Sequence, residues 1–267
     1  MDGLVLCLFI FLGMSIRRQP GHGTELRGVL ALVVLFHHFC LLISDGVLLG
    51  LFHELGKPAV AAFLFLSGYG VMRRFRFDPQ YLHRFLPRRL TKLWLPYGIV
   101  ALLSFLLRPL CHGSWYGLSD LLDALRYGDP IVSNGWYVFF LTALYLLFWL
   151  CAKFLRRPFW ITAAVGAATL LWIPLCRWIG WGDYWYASGP AFALGLLRGI
   201  YDRSPVWPLH WNNPLLAFLG RISYEIYLIH GLLLLLLRAH LSHLPLALTT
   251  LLLTLTAATL LHKSATR

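Results

Sequence analysis

Nine stretches of this chain are apolar over most or all of a bilayer's thickness, and that repetition limits the fold more than any other feature. They fall near 4–16, 26–43, 57–72, 90–107, 136–152, 158–176, 184–200, 213–237 and 243–262. A helix needs roughly 17–25 such residues to cross the hydrocarbon core, and most of these runs reach or approach that length. The expectation is an all-α fold: a polytopic transmembrane helix bundle of about nine spans. The first run, "LVLCLFIFLGMSI", has neither the basic start nor the small-residue cleavage site of a secretory signal, and Arg17 and Arg18 follow it. It reads as a short spanning helix, so residues 1–18 form an extra N-terminal span. The composition agrees. The chain is 59% hydrophobic and only 13% charged, where a soluble domain averages about 25% charged.

The net charge of +12 would suggest nucleic acid in a soluble protein. Here its distribution points elsewhere. With the N-terminus outside and the C-terminus inside, eighteen of the 23 Lys and Arg residues fall in inner segments, Arg73, Arg74, Arg76, Arg84, Arg88, Arg89 and Lys92 among them. Five fall outside: Lys57, Arg108, Arg126, Arg177 and Arg238. That is the positive-inside bias of a membrane protein, and it fixes the orientation without invoking nucleic acid. Aromatic clusters such as Trp178, Trp181, Tyr184 and Trp185 sit at expected outer ends. "SWYGLSDLLDALRY" has the pattern of an amphipathic helix on the outer surface. The five cysteines form no CxxC or Cys/His spacing and read as small hydrophobes, with no metal site and no disulfide framework. No tandem repeat or soluble domain is visible, so residues 1–267 read as a single integral-membrane domain.

Ionisable groups inside the oil are costly, at least about 2.5–3.5 kcal/mol for Arg, Lys or Asp on the most lenient scale, and each is a functional candidate. In "RGVLALVVLFHH" Arg27 begins the span and His38 lies eleven residues on. That is roughly 16 Å along a helix and within roughly 20° of the same face, whereas His37 points about 80° away. In "FLFLSGYGVMRRFRFDPQYLHRFLPRRLTKLWLPY" a span carrying Ser67 and Tyr69 leads into a basic loop. Arg88, Arg89 and Lys92 gather just before the chain re-enters at Pro96, a setting suited to a phosphate-bearing ligand. In "LGRISYEIYLIHGLLLLLLR" Ser223, Tyr227 and His230 share one helical face and Glu225 points elsewhere, within reach of Arg221. This span is too polar for lipid and should face the bundle interior. Asn134 and Trp136 stand at the outer end of the fifth span, as candidates for an acceptor pocket.

Taken in order, these stretches resemble acyltransferase family 3, integral-membrane enzymes that move acetyl and other short acyl groups from acyl-CoA to hydroxyls of surface glycans and other acceptors. The likeness rests on Arg27 and His38 with ten residues between them, on "FLFLSGY", on "RRLTKLWLP", on "WYVFFLTALYLLF" and on "LGRISYEIYLIH". It runs from about residue 24 to 240. The resemblance implies a membrane-embedded acyltransferase, an O-acetyltransferase in the commonest case, in the plasma membrane of a bacterial-type cell. His38 would match the catalytic histidine, Arg27 its arginine partner, and Arg88, Arg89 and Lys92 the acyl-donor site. The family's Arg-x-x-Arg corresponds to Arg89-Leu90-Thr91-Lys92, where lysine keeps the charge but loses the bidentate fork. Ser67, Tyr69, Asn134, Trp136, Glu225, Tyr227 and His230 are substrate-pocket candidates. Acyl-CoA would be a co-substrate, the partners would be the bilayer and a hydroxyl acceptor, and no permanently bound cofactor is expected. The competing reading is a multi-span transporter or flippase for a polar lipid or metabolite, which should show inverted-repeat hydropathy. None is visible.

Overall fold

The computed structural model describes Asp2 and residues 24–43, 46–127, 131–132, 134–201 and 213–265. The first expected span, 4–16, lies outside the described residues. Among these the ordered elements are helices: α1 (Glu25–Leu42), α2 (Val47–Gly50), α3 (Gly56–Phe77), α4 (Tyr81–His112), α5 (Leu118–Tyr127), α6 (Trp136–Leu155), α7 (Pro158–Ile179), α8 (Pro190–Tyr201), α9 (Pro214–Arg221), α10 (Ser223–Leu237) and α11 (His243–Ala265), with one 3-10 turn at Asp183–Trp185.

Five of them, α1, α4, α6, α7 and α11, are long and apolar enough to cross a membrane. Their ends carry recognisable signals. Glu25 lies in the first turn of α1, where a negative charge opposes the helix dipole. Pro158 starts α7, a position where its missing N–H costs nothing, and Gly180 ends it in the left-handed conformation at φ 79°. At 32 residues, α4 is roughly 48 Å long, more than a hydrocarbon core of about 30 Å accommodates upright. Its first turns carry the cations Arg84, Arg88, Arg89 and Lys92 and its apolar stretch follows. Leucines such as Leu170, Leu171, Leu252 and Leu260 point outward, where a water-soluble protein would place charge.

Three expected spans within the described residues are not among these five: 57–72 lies in the 22-residue α3, and two others take other forms. The 184–200 segment becomes the 3-10 turn followed by the twelve-residue α8, too short to cross alone. The 213–237 segment, expected as one span, is broken at Ile222 into α9 and α10, which meet at 72°. Asn213 caps α9 by accepting from the backbone N–H of Leu215 and Leu216.

The chain divides into two packing units. One contains residues up to Ala59, 110–113 and 204 onward, and so holds α1, α2, α9, α10 and α11. In it α1 and α9 cross with their backbones touching. A methyl group added at Gly28 would overlap the Leu216 carbonyl and come within 3.1 Å of Gly220 N. One added at Gly220 would overlap the Thr24 carbonyl. Helices in lipid gain little from hydrophobicity alone, so such small-residue contacts carry much of their packing. The Asp2 carboxylate accepts from the backbone N–H of Val47, Leu48 and Leu49 at 2.9, 3.0 and 3.2 Å, tying the start of the chain to α2.

The second unit contains Val60–Pro109 and Ser114–Arg203. Here α3 and α8 pack in the same way: Gly68 faces the Phe192 carbonyl, Gly195 the Phe65 carbonyl, and Gly199 the Met72 side chain. Phe85, Phe148 and Phe192 are fully buried around Tyr145. The sequence 118–127 does form the expected amphipathic helix, α5. Arg108 of α4 secures it, through Asp120 at 2.8 Å, and lies over the Tyr116 ring at 3.9 Å.

Candidate functional site

In the first unit the polar side chains of α1 and α10 meet. His38 is half-buried on the last turns of α1, and its Nδ1 lies 2.9 Å from the backbone oxygen of Val34, one turn earlier. His230 is fully buried on α10, and its Nδ1 lies 2.8 Å from the oxygen of Ile226. The two imidazoles touch: His230 Nε2 is 3.2 Å from His38 Nδ1, with ring centroids 4.7 Å apart. Tyr227, also buried, sets its ring 6.1 Å from that of His230. Sequence phase places Tyr227 and His230 on one face, and the structure adds that this face meets His38.

The two adjacent histidines of α1 have different surroundings. His37 Nδ1 donates to the carbonyl of Phe52 at 3.2 Å, and its ring packs on Gly56, where a methyl group would collide with it. That makes His37 an anchor for the 51–56 turn. Arg27 is exposed on the first helical turn of α1, eleven residues before His38 on the same unbroken helix.

Glu225 is buried, and the expected pairing with Arg221 gives way to a different one. Its Oε1 lies 2.8 Å from His262 Nδ1 on α11, and its Oε2 has no hydrogen-bond partner among the described residues. The reason is the break at Ile222: Arg221 ends α9 and is exposed, Glu225 lies on α10 beyond a 72° bend, and the four-residue spacing of a continuous helix no longer pairs them. This contact holds two helices together. His262→Ala leaves both carboxylate oxygens unpaired, and is expected to destabilise the fold by about 1–3 kcal/mol. A lower melting temperature in detergent checks it.

In the second unit the three expected donor-site cations separate. Arg88 and Lys92 are exposed on α4, whereas Arg89 turns inward. Its Nη2 donates to the Tyr81 hydroxyl at 3.3 Å, and its guanidinium carbon lies 5.5 Å from the centre of the Tyr145 ring. The Tyr145 hydroxyl in turn shares a hydrogen bond of 2.7 Å with Ser67 Oγ. Ser67 and Arg89, singled out separately in the sequence, are thus joined through Tyr145. The two tyrosines were missed. Tyr145 sits inside "WYVFFLTALYLLF", where an aromatic residue in an apolar helix gives no signal of its own.

The remaining candidates have settings of their own. Tyr69 is buried where α3 and α8 cross. Asn134 is buried ahead of α6, and Trp136 packs with Tyr137, Tyr184 and Trp185 at centroid distances of 6.1, 5.5 and 6.2 Å. That aromatic packing suffices to explain Trp136. Among the described residues no group of three or more His, Cys, Asp or Glu side chains is placed to hold a metal ion.

A family model described as an acyltransferase domain, that of acyltransferase family 3, matches residues 26–211. The match includes α1 with His38 and α4 with Arg89, and stops before α9. No curated protein and no solved structure matches the chain.

Proposed function

Since the chain belongs to acyltransferase family 3, we propose that it moves an acyl group, acetyl in the first instance, from cytoplasmic acyl-CoA to a hydroxyl of a cell-surface glycan or similar acceptor. It does so within a plasma membrane of the bacterial type, with the cationic start of α4 on the cytoplasmic side, in keeping with the charge bias of the loops.

The observation that carries this reading is the hydrogen bond of His38. A backbone carbonyl can only accept, so the nitrogen facing Val34 O carries the proton and Nε2 carries the lone pair. A hydroxyl is a weak nucleophile near neutral pH and needs a base as it attacks. His38 Nε2 takes the acceptor's proton while the oxygen bonds to the thioester carbon. The C–S bond then breaks, and the departing thiolate recovers that proton from the imidazolium to leave as free CoA thiol. Atoms and charge balance with no further reactant.

CoA also brings phosphates, and Arg89 suits them. Its guanidinium is held between Tyr81 and Tyr145, so less of its freedom is lost on binding an anion. Arg88 and Lys92 add exposed positive charge on the same helix. Arg89→Ala is expected to raise the KM for acetyl-CoA about 10- to 100-fold, the value of one or two charge-assisted hydrogen bonds. Arg89→Lys should recover part of that loss. Lys92→Ala, at an exposed site, should weaken binding less and mainly at low salt. Titration of acetyl-CoA binding over a range of ionic strength measures both, and unchanged affinity in Arg89→Ala removes this role.

A further inference from the structure

The bond between the half-buried His38 and the buried His230 bears on how the base works. His230 Nδ1 faces the Ile226 carbonyl at 2.8 Å and His38 Nδ1 faces the Val34 carbonyl at 2.9 Å. Each carbonyl can only accept, so each Nδ1 must carry a proton. In a neutral imidazole the other nitrogen then bears the lone pair. The 3.2 Å contact between His230 Nε2 and His38 Nδ1 therefore has a single direction: His38 Nδ1–H donates, shared between Val34 O and His230 Nε2. The reverse direction would set two lone pairs against each other at Val34 and require a charged His230, whose side chain is fully buried.

We propose that His230 is the positioning residue of His38: its Nε2 accepts from His38 Nδ1–H, fixes the ring with Nε2 toward substrate, and takes up part of the charge that forms there. This rests on the reading of His38 as the base. When His38 Nε2 gains the acceptor's proton, its Nδ1–H becomes a cationic donor and its bonds to Val34 O and His230 Nε2 become charge-assisted and stronger. The stabilisation thus grows as the transition state is approached, which speeds the chemical step and leaves donor binding alone. A buried carboxylate in this place would itself have to be kept charged in the membrane, whereas a neutral imidazole does the work without one. His230, in turn, is aimed by Ile226 O and walled by Tyr227.

The test exploits the two ends of the imidazole. A glutamine at 230 can place its amide oxygen near the position of Nε2 and accept from His38. An asparagine can keep the bond to Ile226 O but cannot reach His38. Full-length His230→Gln, His230→Asn and His230→Leu are assayed in membranes with radiolabelled acetyl-CoA, by the label that enters alkali-labile ester. His230→Asn and His230→Leu are expected to lower kcat about 10- to 100-fold with the KM for acetyl-CoA unchanged, and His230→Gln to regain much of it. In a His38→Ala background, His230→Asn should cost nothing more, because the two act as a unit. Equal rates for Gln and Asn, or an additive loss in the double variant, overturn the proposal while the base reading stands. Full transfer by His38→Ala alone overturns the base reading and the proposal together. The Gln and Asn variants differ by one methylene and both remain polar, so comparison of their folded yields separates chemistry from packing.

Discussion

Replacing His38 by alanine is expected to slow acyl transfer about 10²- to 10⁴-fold, the range that loss of a general base costs. Donor binding should hardly change, because the proposed role of His38 is to take the acceptor's proton. The control is the neighbouring residue. His37→Ala removes one hydrogen bond to Phe52 and the packing on Gly56. Its expected effect is a stability loss of about 0.5–1.5 kcal/mol with the transfer step retained. Rates at saturating acetyl-CoA, normalised to the folded protein in each membrane preparation, separate the two. A His38 variant as fast as the wild type, or a His37 variant as slow as the His38 one, contradicts the assignment.

Gly28→Leu is expected to prevent accumulation of folded protein, for a reason unrelated to the reaction. Any side chain at 28 collides with the Leu216 carbonyl, which is backbone and cannot rotate aside. The two helices would have to separate, and their separation would undo the contact of Gly220 with Thr24 as well. Overpacking in a close-packed core costs about 1–3 kcal/mol when side chains can adjust, and a backbone clash lies at or beyond the top of that range. The same crossing holds α1, so His38 would lose its place against His230. Gly28→Ala is the milder arm and should give a lower melting temperature with some activity left. Size-exclusion behaviour in detergent and melting followed by intrinsic fluorescence measure both variants. Wild-type yield and melting for Gly28→Leu would mean that α1 and α9 do not touch in this way.

Much of the architecture could be read from residues that lipid alone constrains. The apolar runs near 26–43, 136–152, 158–176 and 243–262 return as α1, α6, α7 and α11 with ends shifted by a few residues. Their limits follow from hydropathy, caps and helix-ending glycine, all local signals. The break at Ile222 is of another kind: it lies within a segment read as one span, beside a glycine pressed onto the backbone of α1, which is a tertiary contact. The same distinction runs through the site. Helical phase set His38 apart from His37 and put Tyr227 beside His230, because phase is a property of one helix. That His38 meets His230, that Arg89 turns inward while Arg88 and Lys92 do not, and that Glu225 chooses His262 over Arg221 depend on the neighbouring helix. The spacing of residues along one segment contains no record of that neighbour.

The central claim, that this chain transfers an acyl group from CoA to a hydroxyl with His38 as the base, comes down to the fate of a labelled acetyl group. Membranes containing the full chain are given radiolabelled acetyl-CoA, and free CoA thiol and alkali-labile acetyl ester are followed together. The account predicts that ester and thiol appear in equal amounts with the wild-type protein, and at about 1% or less of that rate with His38→Ala. Ester formation no faster than in membranes lacking the protein, or undiminished in the His38 variant, would contradict it.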